Sequence, residues 1–197
     1  MFAAINLEGY FAELAEKSWV TLPFETEMAQ QLLQVSQSRS ALFKPAGINH
    51  GVFGQKLVES IRNDHIYWID AQHTNLTPTE TKLLAGLTSL TQQLQNYFRV
   101  RLTEFECHYA IYEPGQRYQK HRDILKNNNK RVFSFVIYLN SEWKTSNGGQ
   151  IIGYNEDEVL FKIEPLAGQM LIFKSDIVHE VVESNKTRYS LTGWLRK

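Results

Sequence analysis

The stretch that decides the fold begins with FECHYAIY (105–112) and continues through RVFSFVIYL (131–139), QIIGY (150–154), EVLFKI (158–163), MLIFK (170–174), VHEVV (178–182) and RYSLTGWLR (188–196). Each run is short, rich in β-branched and aromatic residues and bounded by turn residues, so from about residue 104 onward the period is two, that of a strand. Many short strands in succession predict a sandwich or barrel. The first hundred residues read otherwise. Residues 3–17 and 26–37 are rich in Ala, Leu, Glu and Gln and predict helices. Thr77-Pro78-Thr79-Glu80 combines an N-cap threonine, a proline at the first helical position and a glutamate at the third, which is a capping box. Leu83, Leu84, Leu87, Leu90, Leu94, Tyr97 and Phe98 then recur at helical spacing and mark a face that packs on a sheet. Helices first and strands afterwards predict a mostly β protein with α-helices on one outer face: helical support over about 1–100 and a β core over about 101–197.

No repeat, low-complexity tract or Pro/Gly/Ser-rich linker divides the chain, and 197 residues fit one domain spanning 1–197. A domain of this size buries roughly two-thirds of its unfolded surface, so no covalent staple is required. Lys+Arg and Asp+Glu are both 21. Nucleic-acid binding draws its non-specific affinity from a basic excess, and that excess is missing. The single cysteine, Cys107, excludes an intrachain disulfide, favours a reducing compartment and reads as a packing residue. The start, MFAAINLEGYFAELAEK, carries Glu8, Glu13 and Glu16 and lacks the basic and apolar parts of a signal peptide. No run approaches the ~18 apolar residues of a membrane span. The expectation is a cytoplasmic protein, a monomer or weak dimer, with neither nucleic acid nor membrane as partner.

Chemistry concentrates at His121-Arg122-Asp123, where two extended residues at i and i+2 point to one side of a strand. His179, in another strand-like segment, is the third candidate. Two imidazoles and one carboxylate leave about half of an octahedral iron site open, the facial arrangement of non-haem Fe(II) oxygenases. By itself an HxD pair occurs widely. Arg188, nine residues after His179, adds to it. On its strand Arg188, Ser190, Thr192 and Trp194 share one face, while Tyr189, Leu191 and Leu195 take the other. An arginine directed inward needs a partner. A ligand carboxylate can supply it bidentately, and the alternatives are a carboxylate of the protein or a place at the strand's exposed start. His50, His65 and His73 fall in predicted loops, and His108 reads as a satisfied wall residue beside Cys107. Gly148-Gly149 reads as a turn requiring positive φ rather than a phosphate cradle.

These residues carry a resemblance. Tyr112-Glu113-Pro114-Gly115-Gln116-Arg117-Tyr118-Gln119-Lys120-His121-Arg122-Asp123 resembles the metal-binding turn of prolyl 4-hydroxylases. Tyr138-Leu139-Asn140, Trp143 and Gly148-Gly149-Gln150 resemble the core shared with the hypoxia-sensing prolyl hydroxylases. His179-Glu180-Val181 and Arg188-Tyr189-Ser190-Leu191-Thr192-Gly193-Trp194 resemble the same family's final strands, and residues 43–48 and 61–68 its region before the core. The resemblance implies a double-stranded β-helix, or jelly roll, and an Fe(II)- and 2-oxoglutarate-dependent dioxygenase, with ascorbate as a possible reductant. It implies His121, Asp123 and His179 as iron ligands, and Arg188 and Tyr138 on the far carboxylate of 2-oxoglutarate. Thr192 would support that end, and Tyr112 would be either a co-substrate-pocket tyrosine or a core aromatic. Tyr118, Arg131 and Trp194 match positions on the substrate side, or else pack at the rim. The expected reaction hydroxylates a prolyl residue of a protein or peptide. Hydroxylation of a free amino acid or small metabolite, and a metal-binding jelly roll without oxygenase activity, stay open. The turn before His121 is two residues shorter than in the hypoxia-sensing enzymes, a departure that bears on substrate recognition.

Overall fold

A computed structural model describes residues 6–49, 55–56, 61–70, 72, 75–124 and 130–197. In chain order the elements are α1 (Glu8–Lys17), β1 (Trp19–Pro23), α2 (Thr26–Ser38), β2 (Lys44–Pro45), β3 (Ile48–Asn49), β4 (Gln55–Lys56), β5 (His65–Ile69) and α3 (Pro78–Phe98). They continue with β6 (Glu104–Tyr112), β7 (Tyr118–His121), β8 (Arg131–Tyr138), β9 (Ile151–Asn155), β10 (Glu158–Ile163), β11 (Gln169–Lys174), β12 (Val178–Val181) and β13 (Arg188–Arg196). The strands expected after residue 104 all form, within a residue or two. The helix expected over 3–17 begins at Glu8 in the described part, and 3–5 lie outside the described residues.

Two antiparallel sheets face each other. The larger has the order β1-β11-β8-β13-β6-β5-β2 and the smaller β10-β9-β12-β7. Alternation sorts the larger sheet's side chains. Phe133, Phe135 and Ile137 of β8, with Leu191 and Leu195 of β13, point outward and pack with Phe11, Leu14 and Leu32 of α1 and α2 and with Leu83, Leu87, Leu90 and Leu94 of α3. Val136 and Tyr138 face inward, toward Ile151, Phe161 and Phe173 between the sheets. The double-stranded β-helix and its helical backing thus match the expected architecture. Tyr97 departs from the predicted stripe and stays 40% exposed, with its ring edge-on to Phe11, while Phe98 packs on Phe133 of the sheet.

The first hundred residues are more than helical support. β1 forms one edge of the larger sheet, against β11, while β5 and β2 extend the other edge beyond β6. This corrects the helices-then-strands division and also the loop reading of His65, which pairs with Ile111 and Pro45. His50 and His73 lie outside the described residues. α3 starts on the predicted capping box: Glu80 N–H donates to Thr77 Oγ1 at 3.2 Å, and Thr77 N–H donates to Glu80 at 2.8 Å. Among the described residues no helix is long and apolar enough to cross a membrane.

Candidate active site

The space between the sheets is a pocket whose walls are the inward residues of β6, β8 and β13 on one side and of β7 and β12 on the other. β7 and β12 pair so that His121 stands directly opposite His179. The sequence placed His121 and Asp123 on one strand. In the structure β7 ends at His121, and Asp123 sits in the bend that follows, its N–H donating to Ser175 O at 3.1 Å. That bend turns the carboxylate back toward the imidazoles. His121 Nε2 lies 3.7 Å from Asp123 Oδ1 and His179 Nε2 lies 3.5 Å from Asp123 Oδ2, and the candidate ligand atoms all fall within 4.8 Å of one another.

Each ligand is oriented by a second contact. His121 Nδ1 is 2.7 Å from Gln119 O and His179 Nδ1 is 3.0 Å from Ile177 O. A carbonyl only accepts, so both Nδ1 atoms carry the hydrogen and both Nε2 lone pairs face the common centre, the arrangement metal-binding histidines require. Ser134 Oγ donates to Asp123 Oδ2 at 2.6 Å and contacts Ser175 Oγ at 2.9 Å. Burial alone would raise the Asp123 carboxyl, but His179, His121 and the Ser134 hydroxyl outweigh it and hold the group well below the usual carboxylate range. Burial, reinforced by His121, pushes His179 down to about 4. The set is therefore a carboxylate and at least one neutral imidazole, poised for a divalent cation.

Farther along the pocket lies Arg188, 1% exposed. Its Nε donates to Gly149 O at 2.9 Å and its Nη1 to Ser190 Oγ at 3.0 Å, and the rings of Tyr112 and Tyr138 stand 5.0 Å and 5.6 Å from the guanidinium. Among the described residues no carboxylate lies within ion-pair distance of it, and the buried Tyr138 Oη has no hydrogen-bond partner. A buried cation beside an orphaned hydroxyl is costly unless a ligand completes it. Gly148 and Gly149, at φ 69° and 70°, hold the backbone against Glu183 and Arg188, as the turn reading requires.

A sequence model of the 2OG-Fe(II) oxygenase superfamily matches residues 107–196. The crystal structure of a Pseudomonas putida prolyl-4-hydroxylase superimposes with a TM-score of 0.85 and 31% identity, covering 97% of this chain and 98% of that one. The chain belongs to the 2OG-Fe(II) oxygenase superfamily. Among curated relatives it is 29% identical over 147 residues to the hypoxia-inducible factor prolyl hydroxylase of Caenorhabditis elegans, covering 70% of this chain and 20% of that protein. It is likewise 29% identical over 145 residues to the human prolyl hydroxylase EGLN3, covering 68% of this chain and 58% of that protein. The chain thus spans less than two-thirds of these relatives. A Trichoplax adhaerens prolyl hydroxylase, solved with a hypoxia-inducible factor peptide fragment, shares the fold at a TM-score of 0.82 and 24% identity, covering 96% of this chain and 89% of that one.

Superfamily membership brings Fe(II), 2-oxoglutarate and dioxygen, and the residues present fit them. The nitrogen, nitrogen and carboxylate donors suit Fe(II), while Arg188 and the Tyr138 hydroxyl suit the far carboxylate of a dicarboxylic acid. For Arg188, the alternative of a protein carboxylate partner finds no support among the described residues. Thr192 and Tyr112 line the same pocket. Trp194 and Tyr118 line it too, and Tyr118 stacks on His121 with centroids 3.5 Å apart and 14° between planes. Arg131 is already engaged. Its Nε and Nη2 donate to Glu106 Oε1 at 3.0 Å and 2.8 Å, and its guanidinium lies 3.5 Å from the Trp194 ring.

Sequence reasoning missed Ser134, Ser175, Arg62 and Asp64. Arg62 lies 4.6 Å over Tyr118 and donates bidentately to the buried Asp64 at 2.6 Å and 2.9 Å, backing the Tyr118–His121 stack. A hydroxyl in the inward register of an otherwise apolar strand was the available signal for Ser134. His108 also departs from expectation: it is buried, and neither ring nitrogen has a partner among the described residues.

Proposed function

We propose that this oxygenase hydroxylates a prolyl residue within a protein or peptide, with 2-oxoglutarate converted to succinate and carbon dioxide. The observation that carries the reading is a buried arginine without a carboxylate partner among the described residues, beside an unpaired tyrosine hydroxyl, in the same pocket as a His-Asp-His set. In this reading His121, Asp123 and His179 hold Fe(II), and the backbone carbonyls of Gln119 and Ile177 keep the imidazoles in the binding tautomer. Arg188 and Tyr138 bind the far carboxylate of 2-oxoglutarate, with Tyr112 shaping that end and Thr192 lining the pocket farther along β13. Bound Fe(II) supplies the activation of dioxygen, coupled to decarboxylation of 2-oxoglutarate. One oxygen atom of dioxygen goes to the substrate C–H bond and the other to succinate. Tyr118 and Trp194 form the substrate side, with Arg131 held flat on the indole as part of the rim. The reading includes a cytoplasmic setting, in which the buried thiol of Cys107 serves packing.

Support for a prolyl target comes from the 31% identity to the Pseudomonas putida prolyl-4-hydroxylase across nearly the whole chain. The test is anaerobic reconstitution with Fe(II) and 2-oxoglutarate, exposure to air with a cell lysate, and peptide mass mapping. Succinate should form, a protein proline should gain one oxygen atom, and Zn(II) should suppress both. His179→Ala and Asp123→Ala should abolish both. Turnover retained by either variant defeats the metal assignment, and efficient oxidation of free proline with no protein proline modified defeats the peptidyl target.

A further inference from the structure

Beyond the metal set and the Arg188–Tyr138 corner, the pocket wall carries two more buried polar side chains without partners among the described residues. Neither ring nitrogen of His108 makes a hydrogen bond, nor does Nε1 of Trp194. Their rings are 5.4 Å apart, and Trp68 backs His108 at 4.7 Å. Strand register places them. Tyr112 stands opposite Arg188 and His108 opposite Thr192, so His108 lies four residues farther along β13 from the anchor, about 13 Å at ~3.3 Å per residue. Trp194 is two residues farther again and pairs with Ser134, whose hydroxyl holds Asp123. The two unpartnered groups therefore occupy the end of the wall opposite the co-substrate anchor.

Their chemistry narrows the ligand. An indole N–H donates and cannot accept, and a neutral imidazole has one N–H and one lone pair. Burial, with Arg62 and Arg131 nearby, keeps the His108 imidazole neutral. A prolyl residue has no backbone N–H, so at that position a peptide meets these donors with carbonyls: its own and that of the preceding residue.

We propose that His108 is a specificity-determining residue that donates a hydrogen bond to a backbone carbonyl of the bound peptide at the target proline, with Trp194 Nε1 as the second donor. The proposal rests on the peptidyl-proline reading and deepens it. Backbone recognition of this kind is indifferent to neighbouring side chains, so a minimal sequence suffices as a probe.

The experiment uses the full chain loaded with Mn(II) and 2-oxoglutarate, and a dansylated peptide of repeated Ala-Pro-Gly units. Affinities for the peptide and, separately, for 2-oxoglutarate are measured for the native sequence, His108→Leu and His108→Gln. Loss of the donor in His108→Leu should weaken peptide binding about tenfold, or about 1.4 kcal/mol, while 2-oxoglutarate affinity stays within about twofold. His108→Gln, which keeps a neutral donor, should recover most of the loss. A peptide with thioamides at the proline carbonyls, poorer acceptors, should bind the native enzyme more weakly, and this arm needs no variant to fold. Unchanged peptide affinity in the leucine variant, an equal loss of 2-oxoglutarate affinity, or indifference to the thioamides overturns the proposal. Failure of the native enzyme to bind Ala-Pro-Gly overturns it as well, whereas the prolyl reading itself stands or falls on protein prolines oxidised in the lysate.

Discussion

Ser134 Oγ donates to Asp123 Oδ2 at 2.6 Å across eleven residues of chain, and Ser175 Oγ lies 2.9 Å behind it. A serine pointing inward from β8 thus fixes the rotation of the one carboxylate among the candidate metal ligands. Ser134→Ala removes that donor from a buried carboxylate while leaving the ligands in place. Metal affinity should fall about 10–100-fold, the usual cost of losing such a supporting contact, and titration of the apo-protein with Mn(II) measures it. Unaltered affinity would assign the orientation of Asp123 to its backbone alone.

Arg188 and Tyr138 should separate co-substrate binding from metal binding. Arg188→Lys keeps the charge but loses the planar fork, and 2-oxoglutarate affinity should drop by about tenfold or more. Tyr138→Phe deletes only the unpaired hydroxyl and should cost about threefold to tenfold, the range of one hydrogen bond. Both should bind Mn(II) as the unmodified protein does. Calorimetric titration with 2-oxoglutarate decides, and an undiminished affinity in Arg188→Lys would make that arginine structural.

Stability of the metal-free protein should depend on pH through its buried histidines. Burial first, then His121, pushes His179 down to about 4, whereas an unfolded histidine titrates near ~6.5. Below about pH 6.5 the unfolded chain takes up a proton that the native state refuses, so stability falls with pH until the native imidazole also protonates near about 4. His108, likewise depressed, acts in the same direction. The stabilising effect of the depressed Asp123 is lost only below its unfolded value of about 3.9, outside this window. The urea midpoint of the apo-protein should therefore decline from about pH 6.5 to about pH 4.5. A flat profile would show that these imidazoles protonate without unfolding cost.

Glu80 tests the helical backing. It is fully buried, receives Arg39 Nη1 and Nη2 at 2.6 Å and 2.8 Å, and closes the capping box of α3. Glu80→Ala strands the Arg39 charge and opens the helix start, so it should cost about 3–5 kcal/mol in urea denaturation. Lys82→Ala, which breaks an exposed ion pair at 3.4 Å to Glu25, should change stability by less than about 1 kcal/mol. Equal effects would mean that burial does not set the cost of breaking an ion pair in this protein.

Local pattern alone determined the β core, the capped α3 and the face that Arg188 shares with Ser190, Thr192 and Trp194, because side-chain alternation and helix-start chemistry are properties of consecutive residues. The order His121, Asp123, His179, Arg188 likewise singled out the residues that the fold brings into one pocket. Pairing across the chain decided the rest. Trp19–Pro23 became an edge strand and His65–Ile69, itself flanked by β2, an outer strand because β11 and β6 offer them backbone partners. Asp123 was turned inward by a bend after β7 and secured by serines 11 and 52 residues away in the chain. Arg131 left two readings open, the substrate side or packing at the rim, and Glu106 on the far side of β13 holds it against Trp194. His108 read as a satisfied wall residue, yet none of the described residues stands opposite its nitrogens as a partner. Alternation reports which face a side chain takes, but whether that face meets a partner, a ligand or an empty pocket depends on strands distant in sequence, and only the tertiary structure decides it.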